Sequence, residues 1–156
     1  MKKYEFTGEV KRIKLIGTEV VLRRIRAVTA FGVVKAGDIG GWIEKEENLS
    51  HDGSAWVYGD ARVCGNADVC GDAEVYSANH IFSIGPIGSR NEYTTFYRNK
   101  NEKIEVRCGC FNGIIEEFLE KVAETHGENK HASVYRAAAE IAKLQIEPLS
   151  TDKEAE

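Results

Sequence analysis

No run of apolar residues in the sequence is long enough to cross a bilayer, and the opening MKKYEFTGEV lacks the apolar core of a secretory signal. Those absences predict a cytoplasmic chain. Cysteine is scarce: Cys64, Cys70, Cys108 and Cys110 are too few for a disulfide-stapled scaffold, and a reducing compartment would keep them as free thiols. Strong bias of charge is absent as well. The 156 residues carry a net charge of −4, with 29% charged and 42% hydrophobic side chains, which excludes wholesale disorder and leaves room for one core or two small units.

The charge is unevenly placed. Residues 1–50 hold ten basic and seven acidic side chains, residues 51–80 one and five, and the remainder ten and thirteen. The middle segment is the acidic one, which disfavours nucleic acid as its partner. Asp60, Asp68, Asp72 and Glu74 are too few to imitate a DNA backbone.

That middle segment repeats. From Asp52 the chain reads DGSAWV, YGDARV, CGNADV, CGDAEV and a degraded YSANHI. The last place of each unit is β-branched (Val57, Val63, Val69, Val75, Ile81); in the first four units alanine (Ala55, Ala61, Ala67, Ala73) stands two places earlier and glycine (Gly53, Gly59, Gly65, Gly71) holds the second place. A helix would scatter a period of six around its circumference, and each glycine would cost it about 1 kcal/mol. A short strand turns Ala and Val to one side and Arg62, Asp68 and Glu74 to the other. Three such units can close a triangular coil, so the pattern predicts a short left-handed β-helix of hexapeptide repeats, the alternative being a meander of ordinary hairpins. Leu49 and Ile43 extend the ladder backwards if the loop at His51 and Asp52 holds two extra residues.

A solenoid this short leaves both ends open, and the flanks are expected to cap it. Upstream, YEFTGEVKRIKL and TEVVLRRIRAVTAF read as a β-hairpin turning at Ile16 and Gly17. Downstream, HIFSIGPIGS, YTTFYRNK and KIEVRCGC read as three strands. Two helices follow. Asn112 is the predicted cap of the first, with Ile115, Phe118, Leu119 and Val122 as its apolar stripe; Val134, Ala138, Ile141 and Leu144 form that of the second. The predicted organisation is a hairpin cap at 1–34, a β-helix at 35–81, a three-strand, two-helix α/β unit at 82–148 and a disordered tail at 149–156.

The run LRRIRAVTAFGVVKAGDIGGWIEKEENLS leads directly into the hexads. With Val34-Lys35-Ala36-Gly37, Gly40-Gly41-Trp42 and Leu49-Ser50, it resembles the amino-terminal region of YdcK-like bacterial β-helix proteins and related phage proteins. The resemblance covers about the first half of the chain and implies a fold rather than an activity. Such proteins continue through many more coils, whereas this repeat stops after about two. The stretch from SIGPIGSRNEYTTFYR through CGCF and THG also resembles a carboxy-terminal unit appended to short phage β-helix proteins.

Hexapeptide-repeat acyltransferases use an imidazole as base, and His51 and His80 are the candidates here. Two coils offer little groove for an acyl donor, so no catalytic residue and no cofactor are expected. Cys64 and Cys70 lie on different sides of the triangle and cannot share an ion; Cys108 and Cys110 share a strand face, but small buried residues are the default, and no metal is expected. The candidate ligand site is GPIGSR: Gly85 and Gly88 for close backbone approach, Ser89, Arg90 for phosphate or carboxylate, and the hydroxyls of Thr94 and Thr95. Its plain structural reading is a tight turn with Arg90 paired to a local acid. The candidate interface is Trp42, Trp56, Tyr58 and Tyr76 with Arg24 and Arg26, which would make a homo-oligomer.

The chain is therefore expected to be a noncatalytic, phage-type binding protein that antagonises a host defence system, either by covering a host protein or by sequestering a small nucleotide-like signal. Self-associating structural protein and acyltransferase are the alternatives.

Overall fold

The computed structural model describes residues 2–146, so the predicted tail at 149–156 lies outside the described residues. The hairpin forms as read: β1 (Tyr4–Leu15) and β2 (Thr18–Ala27) pair antiparallel from Tyr4↔Ala27 to Leu15↔Thr18 across the turn at Ile16 and Gly17. β3 (Ile39–Ile43) adds antiparallel to β2. The arginines of β2 find local partners. Arg26 pairs with Glu5 at 2.5 Å, Arg23 donates to the Glu44 carbonyl at 2.7 Å, and the Arg24 guanidinium lies 5.0 Å over the Trp42 ring.

The hexads do not build the predicted left-handed β-helix. The described residues form three separate sheets and no solenoid: a mixed four-stranded sheet, an antiparallel four-stranded sheet and a two-stranded one. Each repeat contributes at most a two-residue strand. β4 (Trp56–Val57) pairs parallel with β6 (Glu74–Val75), while β5 (Arg62–Val63) joins β3 in the hairpin's sheet, giving the order β1-β2-β3-β5. Leu49 and Val69 make one isolated parallel bridge. Around these brief ladders the backbone bonds run partly between repeats, as from the Ser54, Trp56 and Tyr58 amides to the Gly71, Ala73 and Val75 carbonyls, and partly within turns, while the longer strands pair antiparallel.

The sidedness of the repeat holds even so. Val57, Val63, Val69 and Val75 are at most 1% exposed, and Ala55, Ala61, Ala67 and Ala73 are buried with them. Burying a valine fully is worth about 1.5–3 kcal/mol over leaving it in water, so these four anchor the first core. The four repeat glycines all take positive φ, from 55° to 73°, where a side chain would strain the bend. Buried Asn48 ties the segment together: its amide donates to the carbonyls of Gly65 at 3.1 Å and Ala67 at 2.9 Å.

Beyond the repeat, β7 (Ile81–Ile87), β8 (Glu92–Arg98), β9 (Ile104–Cys108) and β10 (Phe111–Ile114) make an antiparallel sheet, one strand more than the three read from sequence. α1 (Ile115–His126) and α2 (Lys130–Gln145) pack on it. Two helix expectations need correction. Asn112 is not the cap of α1, because it sits in β10 and donates to the Tyr97 hydroxyl and to Glu105. On α2, Ile141 and Leu144 are 44% and 85% exposed, while Ala132, Tyr135, Ala138, Ala139 and Ala142 are buried. The small side chains let the helix close on its neighbours, and side-chain size on one stripe does not decide which face does so.

The antiparallel sheet carries a core on each side. Phe96 and Val106 join the core with α1 and α2, whereas Tyr97 belongs to the core of the hexads. Among the described residues, no helix is long and apolar enough to cross a membrane.

Candidate functional site

A cleft of about 240 Å³ opens where the loop after β7, the β9–β10 turn and the two helices meet. Its walls combine Ser89 and Arg90 from the loop, Cys108 and Cys110 from the turn, Lys121 and His126 from α1, and Tyr135 from α2. Phe111 and Phe118 supply apolar surface. Phe118 meets Tyr135 edge-on at 5.6 Å, and the His126 ring stacks beside Tyr135 at 5.7 Å. His126 and His131 stand 5.4 Å apart at the joint between the helices, where the sequence places them.

The electrostatics are lopsided. Among the described residues, Glu92 is the only carboxylate on the lining, against Arg90 and Lys121. Neither cation forms an ion pair with any described residue, so the local acid that would make Arg90 a purely structural residue is not found among them. Burial, with the Cys108 thiol next in importance, pushes the Tyr135 hydroxyl up to about 12. Tyr135 thus stays a neutral hydroxyl. Cys108 is engaged on both sides: its sulfur accepts from Thr94 Oγ1 at 3.3 Å and faces the Tyr135 hydroxyl at 3.9 Å.

Of the six residues in the predicted ligand site, Ser89 and Arg90 line the cleft and the other four do not. Gly85 and Gly88 make room for tyrosines of this chain: an added Cβ would fall on the Tyr93 ring at Gly85 and on the Tyr135 hydroxyl at Gly88. Thr94 and Thr95 are buried. Thr94 donates to Cys108, and Thr95 Oγ1 accepts from the Asp68 amide at 2.9 Å. The sequence does not mark Lys121 and Tyr135, since nothing local distinguishes a helix position that faces a distant turn, nor Phe111, which opens β10.

The six interface candidates do not form one surface patch. Trp42 and Trp56 are 6% and 1% exposed, and Arg24 and Arg26 are engaged as described. Tyr58 and Tyr76 do meet, stacked at 4.3 Å, with Tyr76 44% exposed.

The two acyl-transfer candidates lie away from the cleft. His51 Nδ1 accepts from the Lys3 amide at 3.0 Å, its ring stacks on Tyr4 at 4.1 Å, and Glu46 Oε2 stands 3.9 Å from Nε2. Burial lowers its pKa, which fits a neutral acceptor. His80 Nδ1 accepts from the Tyr76 amide, and its Nε2 lies 3.2 Å from Arg98. A second depression holds Asp52, Asp68 and Arg107, but there Arg107 is paired with Asp68 at 3.3 Å. Among the described residues, no three His, Cys, Asp or Glu side chains gather closely enough to hold a metal ion.

No protein-family model matches the chain. It is similar to a protein of Escherichia coli (strain K12) named as the uncharacterized acetyltransferase YdcK, at 39% identity over 62 residues. The match takes in 37% of this chain and only 19% of that protein. The resemblance to YdcK is therefore local. It bears on neither phages nor host defence, and it lends no support to a phage-type origin of the carboxy-terminal unit.

Proposed function

We propose that the chain is a noncatalytic binding protein whose cleft retains a small anionic ligand with an apolar or aromatic body, of the nucleotide type. The observation that carries the reading is a pair of cations, Arg90 and Lys121, with no ion-pair partner among the described residues, set on a wall of Phe111, Phe118 and Tyr135. A guanidinium and an ammonium attract phosphate or carboxylate oxygens, and the partly buried Phe111 ring leaves aromatic surface for a base beside the buried Phe118 and Tyr135. Calorimetric titration with adenosine monophosphate, adenosine and inorganic phosphate tests it. Saturable binding of the monophosphate, stronger than of either fragment and weakened about tenfold in an Arg90→Ala, Lys121→Ala double variant, is the expected result. Binding that ignores the two cations, or no binding of any anion, ends the proposal.

Acyl transfer is the second reading, favoured by the name of the YdcK relative and by the imidazole of His51 near Glu46. Acetyl-coenzyme A consumption that disappears in His51→Ala would support it over the first.

A further inference from the structure

We infer that the Cys108–Gly109–Cys110 corner is a covalent capture site for small carboxylate-bearing disulfides, with Cys110 as the entering thiol and Cys108 as the resolving one. The inference rests on the cleft read above as an anion site. Cys110 is exposed, whereas Cys64, Cys70 and Cys108 are partly buried. It stands on the same concave wall as Cys108, within a cleft that also presents Arg90 and Lys121. An exposed sulfur, a second sulfur two residues away and two cations with no ion-pair partner among the described residues thus share one cavity.

The order of the two thiols follows from their surroundings. Cys108 holds contacts to Thr94 and Tyr135, whereas the Cys110 thiol makes no hydrogen bond or ion pair with any described residue. Burial also pushes the Cys64 and Cys70 thiols up, which keeps them protonated and slow. Gly109 alone separates the two cysteines, at the turn between β9 and β10.

The chemistry is thiol–disulfide exchange. Cys110 loses its proton to water, and its thiolate attacks one sulfur of the reagent. That reagent's S–S bond breaks, and the departing thiolate takes up a proton. Cys108, deprotonated in turn, attacks the Cys110 sulfur of the mixed disulfide, forms a Cys108–Cys110 bond and releases the second thiol. The reagent is the oxidant and leaves as two thiols. Arg90 and Lys121 attract its carboxylates against the single opposing charge of Glu92.

The test compares oxidised glutathione with the uncharged bis(2-hydroxyethyl) disulfide on the full chain, followed by intact mass and peptide mapping. A glutathionyl adduct should appear first on Cys110 and convert to an internal disulfide. Cys108→Ser should halt the reaction at the adduct. In the Arg90→Ala, Lys121→Ala variant the preference for the charged reagent should fall about fivefold, the worth of two exposed charge contacts. First labelling at Cys64 or Cys70, or a preference untouched by removing the cations, overturns the inference. If the double variant loses nucleotide binding but keeps that preference, the capture site fails and the nucleotide reading stands. Cation-dependent exchange on a chain that binds no nucleotide means the opposite: the capture site stands and the nucleotide reading falls.

Discussion

Phe96 and Tyr97 are neighbours on β8 and belong to different cores, Phe96 to the one under the helices and Tyr97 to the one inside the hexads. Alternation along a strand makes this possible, and it turns the second sheet into the partition between the two halves of the molecule. The Tyr97 hydroxyl is the polar pin of that partition. It donates to Glu105 Oε2 at 2.7 Å, accepts from Asn112 at 2.9 Å and lies 3.3 Å from the Cys70 sulfur.

Tyr97→Phe should therefore destabilise the fold by about 1.5–3 kcal/mol, the worth of a hydrogen bond to a buried carboxylate. Glu105 is only 7% exposed, and its described partners besides Tyr97 are the neutral amides of Asn99 and Asn112. Urea unfolding checks this: the midpoint should drop while the slope stays put. An unchanged midpoint would mean that the carboxylate recruits water without penalty.

Gly88→Ala should cost about 2 kcal/mol or more, because φ is +81° and the new methyl would land on the Tyr135 ring and hydroxyl. Tyr135→Leu removes the obstacle. In a double-mutant cycle the two losses should fall short of additive, whereas strict additivity would show that backbone strain alone is responsible.

Lys3 gives the fold a dependence on pH. Its ammonium donates to the Ala55 carbonyl at 2.7 Å and lies 4.7 Å from the centre of the Phe31 ring, and burial lowers its pKa from 10.5 to about 8 despite the opposing pull of Asp52. The folded chain then releases this proton before the unfolded chain does. The unfolded state binds more protons between pH 8 and 10.5, so the Lys3 contribution to stability rises with pH through that window. Below pH 8 the penalty for burying the charge is present in full. Denaturation of the wild type and of Lys3→Met at about pH 7.5 and about pH 9.5 isolates it: the stability of the wild type minus that of the variant should rise at the higher pH. A difference that falls instead would reverse the assignment.

The candidate site was only partly legible. Ser89 and Arg90 announce themselves through a glycine-rich loop, but their partners come from a β-turn and two helices, and Lys121 and Tyr135 carry no local signal. The loop's own glycines mislead for a physical reason. They reserve space, and the sequence does not say whether a ligand or a tyrosine of the same chain fills it.

By itself the sequence determined the hairpin at Ile16 and Gly17, the inward valines and alanines of the hexads, the glycine bends between them and two helices near their observed places. These rest on local rules: alternation, backbone freedom and helical spacing operate within a few residues. Tertiary structure alone decided that the hexads would be divided among short ladders rather than wound into a solenoid. It also decided that β10 would take Asn112, and that α2 would bury its alanines and leave Leu144 in water. Each of those outcomes depends on which distant backbone or side chain arrives to pair or pack, and a local pattern leaves that choice open.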